Sequence, residues 1–319
     1  MKTVLRASVI AGVFTAIALS GAVAAPASVD PEATVVDTLV VSARAPGPAW
    51  WRIKGPTSTV YVLGVPGALP KGMAWDQSVV ARRLKGASEV ILPPTLSASA
   101  GDTVAVLGIL GQLHTNTPME DSLPPALKAR FEADRGRMNG DGRGYSHWIP
   151  AVAGLQIVAD YRHKAGLDAA EPAKTVRRLA AAAGVRTQPA ATYKAIPLFK
   201  AVATQAGAVG PPCLSDALDE LEAGPGPARA AADSWARGDV RGALAEQRGY
   251  EKCANSFPDG ANLTRQAMRD TTSAIAEALA KPGHAIAVVN LRALLAPGGV
   301  LEQLRAHGFK VDRPDVGED

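Results

Sequence analysis

The chain has 319 residues, 47% of them hydrophobic and 20% charged, which describes a folded protein with a sizeable core and excludes a disordered one. Its formal net charge is only +4, and Lys2 and Arg6 fall in a leader segment, so there is no electrostatic footprint for nucleic acid. Two cysteines are too few for a structural zinc site, and no histidine pair stands at ligand spacing beside them.

The chain opens like a secretory signal. Lys2 and Arg6 make a positive region, Ala7 to Leu19 is apolar, and Ala22-Val23-Ala24 fits a small-x-small cleavage site. That predicts a signal peptide over residues 1–24, too short in its apolar run for a comfortable membrane span. No other segment approaches spanning length, so the mature chain is expected to be periplasmic or secreted, with no transmembrane segment. Export in turn favours a disulfide between Cys213 and Cys253. Residues 25–48 are rich in Pro, Ala and Val without helical period and read as a leading arm or linker. Within it, Leu39-Val40-Val41 is β-prone.

A single domain is expected from 49 to 319. Trp51, Ile53 and Lys54 start a strand, Gly55-Pro56-Thr57-Ser58 turns, and Thr59 to Leu63 is β-branched and aromatic as a buried strand should be. The chain then turns sharply at Gly64-Val65-Pro66-Gly67, the kind of strand end where α/β proteins build their sites. Asp76 to Lys85 has helical spacing and stops at Gly86, and Glu89 to Leu92 is a further strand. Leu96 to Leu113 reads as weakly helical. Helices follow from Ser122, from His147 to His163 and from Thr175 to Ala183, with a short strand at Val185-Arg186-Thr187. Tyr193 to Leu221 is helical with an interruption at Gly210-Pro211-Pro212. Helices over Ala228–Arg237, Asp239–Cys253 and Leu263–Ala280 precede a last buried strand at His284–Val289. A helix at Val300–Ala306 and an edge strand at Phe309-Lys310-Val311 close the domain. Strands at both ends around a helical middle make this α/β, with a mixed sheet flanked by helices.

Two stretches carry a family resemblance. Val60 to Leu63, Gly64 and Leu69-Pro70-Lys71-Gly72 resemble the opening hairpin of the TraB/GumN family. Pro297-Gly298-Gly299, Leu301, Leu304, Arg305, Gly308, Phe309 and Val311 are similar to its closing unit. The lead-in, Val40-Val41-Ser42 and Pro46-Gly47-Pro48 before the tryptophans, resembles the GumN branch associated with xanthan exopolysaccharide. The resemblance implies an erythromycin-esterase/ChaN-like mixed sheet. It also implies that histidines and glutamates converge at the strand ends in catalytic relatives, where they suit a divalent metal that activates water. In this chain those positions fall on Gly67, Pro93, Ala190 and Ala293. None of the four can hold a metal or move a proton.

The remaining chemistry is sparse. The five histidines are not paired at i, i+4, no G-x-S-x-G is present, and Gly64 and Gly67 do not make a dinucleotide fingerprint. Lys71, Arg269 and Arg292 could form a cationic pocket for an acidic sugar or other anion. The plainer reading is a solvated Lys71 and a surface Arg269–Asp270 pair. The sequence therefore predicts an exported, non-catalytic family member, a pseudoenzyme without cofactor, with a binding or accessory role in an envelope or exopolysaccharide process. The competing expectation is a peptidase-like, metal-dependent hydrolase with relocated catalytic groups. Neither reading names a partner.

Overall fold

The computed structural model describes residues 29–36, 47–97, 99 and 103–315. The predicted signal peptide and the Leu39–Val41 run lie outside them. The predicted hairpin is β1 (Trp50–Lys54) and β2 (Ser58–Val65), continued by a two-residue strand β3 (Leu69–Pro70). After α1 (Ser78–Leu84) come β4 (Ala87–Leu92) and β5 (Thr95–Ser97), then α2 (Thr103–Leu113), α3 (Pro125–Asp134) and α4 (Pro150–Lys164). Next are β6 (Leu167–Asp168), α5 (Glu171–Ala182), β7 (Thr187–Pro189), β8 (Thr192–Lys194) and α6 (Ala195–Ala223). Helices α7 (Gly226–Ala236), α8 (Val240–Ala243), α9 (Gly249–Ser256) and α10 (Pro258–Leu279) lead into β9 (Gly283–Asn290). The domain ends with α11 (Leu291–Leu295), α12 (Val300–Ala306) and β10 (Lys310–Asp315).

Six strands form one mixed sheet in the order β10-β1-β2-β9-β4-β7. The β10-β1-β2 edge is antiparallel, whereas β2, β9, β4 and β7 run parallel to one another. Parallel strands are covered on both faces, which is why β2 and β9 read as almost unbroken apolar runs. Val60, Val62, Leu63, Ile286, Ala287 and Val288 are all buried in one core with Trp50 and Trp51. Each of the valine, leucine and isoleucine side chains among them contributes about 1.5–3 kcal/mol on leaving water. The helical middle has smaller cores of its own, the largest built on Phe131, Ile157, Leu214 and Leu218.

Four local expectations change. The start of the weakly helical Leu96–Leu113 segment is strand β5, parallel to β8, because the chain leaves β4 still extended beside the chain leaving β7. Helix α6 continues through Pro211 and Pro212. The lost N–H donors are tolerated there because Leu214, Leu218 and Leu221 pack against Ala153 and Ile157 of α4. The expected helix over Asp239–Cys253 is divided at residues 244–248, an irregular stretch between α8 and α9. Finally, residues 29–36 of the arm lie against the domain: the Val36 N–H donates to Leu295 O at 2.7 Å, and Glu32 is buried.

Cys213 of α6 and Cys253 of α9 form a disulfide with their Cα atoms 4.4 Å apart, stapling two helices across the Gly224-Pro225 break. Among the described residues, no helix is long and apolar enough to cross a membrane.

Candidate functional site

The parallel strands carry Gly67, Pro93, Ala190 and Ala293 to one edge of the sheet. Gly67 lies two residues beyond the end of β2, and Pro93 directly follows β4. Ala190 directly follows β7, its N–H donating to Leu92 O at 2.8 Å. Ala293 sits in α11, whose start is capped by Asn290 Oδ1 accepting from the N–H groups of Arg292 and Ala293. Val65 and Asn290 are paired in the β2–β9 ladder, so Gly67 and Ala293 follow adjacent strand ends.

Glycine at 64 and 67 has a steric reason. A Cβ on Gly64 would stand 2.6 Å from a Leu291 methyl and 2.7 Å from the Trp51 ring, while Trp235 Nε1 donates to the Gly64 carbonyl at 2.7 Å. Gly67 has no positive φ; what it needs is room. Its N–H donates to both Glu246 oxygens, at 2.8 and 3.0 Å. A Cβ there would meet Glu246 at 3.2 Å and Glu251 at 3.3 Å. The turn after β2 is thus filled from outside by two carboxyl groups.

Those carboxylates belong to a larger ion-pair cluster. Arg162 of α4 donates to Glu220 of α6 through Nε at 2.6 Å and Nη2 at 3.0 Å. It also donates to Glu251 of α9 at 2.9 and 3.0 Å, so one guanidinium bridges two carboxylates. Glu220 accepts a further bond from the Gly249 N–H at 2.7 Å. Nearby, Arg248 donates to Asp30 at 3.0 Å and to Glu32 at 3.4 Å, joining the arm to the stretch between α8 and α9. Asn255 Nδ2 donates to Asp30 at 2.8 Å. Arg292 donates from Nη2 to the Leu244 carbonyl and lies in the field of Glu246, Glu32 and Asp30.

Five carboxylates (Asp30, Glu32, Glu220, Glu246 and Glu251) therefore face three guanidiniums (Arg162, Arg248 and Arg292). Burial pushes the Glu246 carboxyl up to about 7, helped by Glu251 and opposed by the Gly67 N–H, Arg292 and Arg162. Burial likewise raises Glu32 to about 7, against the pull of Arg248. Burial opposes the charge of Arg162, yet Glu251 and Glu220 hold its pKa above the ordinary value. Arg292 is lowered by burial and by Arg248. The raised pKa values of Glu32 and Glu246 ease the imbalance of five acids against three bases.

The other two members of the suggested cationic pocket are placed differently. Lys71 is exposed just after β3; its backbone N–H donates to Gly166 O at 2.8 Å, and its charge acts on Asp168 rather than on the cluster. Arg269 is exposed on α10, where its neighbour Asp270 accepts from Tyr193 Oη at 2.7 Å. Arg292 alone of the three enters the cluster.

A divalent metal of the kind the family resemblance implies does not fit these residues. Gly67, Pro93, Ala190 and Ala293 offer no donor side chain, and Glu220 and Glu251 are already bridged by Arg162. Among the described residues, no three His, Cys, Asp or Glu side chains are arranged to hold a metal ion.

The hairpin, the strand-edge turns and the closing helix-strand unit lie in a segment, residues 49–313, that matches the TraB/PrgY/gumN family. The chain belongs to that family. Neither the curated proteins nor the solved structures contain a match.

Proposed function

We propose that this TraB/PrgY/gumN-family member is exported and non-catalytic, and that it acts by binding in an envelope or exopolysaccharide process. The observation that carries the reading is the strand edge itself: where the family's reactive groups would converge, the chain places its own carboxyl groups against Gly67, Glu246 hydrogen-bonded to its N–H and Glu251 ion-paired to Arg162. Export is supported by the leader pattern and by the Cys213–Cys253 bridge, since such bonds persist in oxidising compartments. The exopolysaccharide setting rests on the likeness of the lead-in to the GumN branch.

One observation favours the competing hydrolase reading. A buried Glu246 titrating near 7 at a strand edge is placed and tuned as a relocated general acid or base would be.

Restoring the histidines separates the two. In Gly67→His/Ala293→His, an imidazole must displace Glu246 and Glu251 and enter the packed surroundings of Ala293. The double variant should lose about 1–3 kcal/mol of stability and gain no tight zinc or manganese binding, by thermal unfolding and metal titration. Peptide hydrolysis by the unmodified protein, abolished by Glu246→Gln or by a chelator, would overturn the non-catalytic reading.

A further inference from the structure

Beyond the strand edge, α2, α4, α6, α9 and α10 enclose an open cavity of about 470 Å³. That volume falls within the range of about 300–1,000 Å³ typical of small-molecule sites. Its walls are aliphatic and aromatic, from Ile109, Leu113, Val152, Leu155, Val202 and Phe257 among others. Four of the five large hydrophobic residues that stand exposed among the described residues also line it: Leu96, Leu110, Phe199 and Tyr250. Exposed apolar side chains scattered over a surface need no explanation, but their convergence on one opening does.

We infer that this cavity binds a small aliphatic molecule with one chain and an uncharged polar head. The volume suits one small molecule held on several sides, whereas a helix with its side chains is about 10–12 Å across and could seat only one face there. Charge selects the head. Among the described lining residues there is no lysine or arginine, and the only charged one is Asp259, at the rim. Asp259 accepts from Gln205 Nε2 at 2.7 Å, and Gln156 adds an amide to the wall. A carboxylate head would meet an aspartate and no cation, whereas a hydroxyl can bond to the amide or the carboxylate. The inference is independent of whether the strand edge is catalytic, because none of the cluster's charged side chains lines this cavity.

The test is displacement of phenylnaphthylamine fluorescence from the full chain by 1-dodecanol and by dodecanoate at pH 7.5. Saturable probe binding displaced by the alcohol is expected, with dodecanoate weaker by about tenfold. Ala201→Trp on α6 and Ala159→Trp on α4 fill the cavity from different walls. Each variant that keeps the circular dichroism and melting temperature of the parent should bind probe and alcohol at least about tenfold more weakly. Unsaturable binding to the parent, unimpaired binding to a folded filling variant, or preference for dodecanoate would each overturn the assignment. So would binding that appears only as the protein dimerises, which would give the cavity to a second copy.

Discussion

The strand edge and the apolar cavity are built from the same two helices and finished by opposite means. Arg162 of α4 and Glu251 of α9 close the strand edge with charge, while Leu155 of α4 and Ala254 of α9 line the cavity with hydrocarbon. Tyr250 belongs to both: its ring lines the cavity and lies 5.9 Å from the Arg162 guanidinium. At the edge, the Arg162 guanidinium and the carboxyl groups of Glu220, Glu246 and Glu251 already bond within the chain, so a ligand reaching them would have to break existing bonds. In the cavity nothing polar has to be displaced. Two regions side by side on the same helices can thus differ in how freely they admit a ligand, and the difference is set by what already fills each.

Breaking the charged half should have the largest effect. Arg162→Met leaves Glu220 and Glu251 buried without their cation, and Glu220 is only 5% exposed. Stranding a buried charge in this way costs about 3–5 kcal/mol, readable as a shift of the urea midpoint. A loss below about 1 kcal/mol would show that the bridge behaves like a surface pair. The disulfide comes next, because it fastens the two helices on which both regions depend. Its 40-residue separation gives about 4 kcal/mol on the chain-entropy account, usually realised only in part. Cys213→Ala/Cys253→Ala should therefore unfold at clearly lower denaturant, and thiol titration of the denatured parent should find no free sulfhydryl.

How much of this the sequence made legible follows from the range of the forces involved. The β1–β2 hairpin, β9 and α12 were readable because local period and turn chemistry set them. The family resemblance singled out Gly67, Pro93, Ala190 and Ala293, and the parallel β2-β9-β4-β7 ladder explains why four residues so far apart in sequence follow neighbouring strand ends. What filled that edge was not readable. The stretch Leu244-Ala245-Glu246-Gln247-Arg248 has good helix formers, so propensity extends the helix through it. The folded chain breaks there, and its charges are used at a distance: Glu246 reaches Gly67 and Arg248 reaches Asp30. One signal did exist. Glu220 shares the i, i+4, i+7 stripe of buried Cys213 and Ala217, and a glutamate on such a stripe demands a buried partner.

The finest test of the comparison is pH, because only the charged half should respond to it. Glu246 titrates near 7 in the folded protein and near 4.5 when unfolded, so between those values the native state holds a proton that the unfolded chain has lost. Stability then falls as pH rises from about 4.5 to about 7, and the fall ends once both states are ionised. Glu32, also raised to about 7, acts in the same direction. The lowered carboxyls of Asp168 and Asp312, held by Lys174 and by Lys54 and Arg52, act in the opposite sense at lower pH. The whole curve therefore mixes signs, and the difference between variants isolates one group. Glu246→Gln keeps an acceptor for the Gly67 N–H but cannot ionise. Relative to this variant, the parent should lose about 1 kcal/mol per pH unit between pH 5 and 7 and then run parallel above pH 8. Chemical denaturation at half-unit intervals measures the difference. Parallel curves throughout would mean that Glu246 is ionised in the fold, and a parent that gains on the variant as pH rises would mean that Arg162 and Arg292 hold it as a carboxylate.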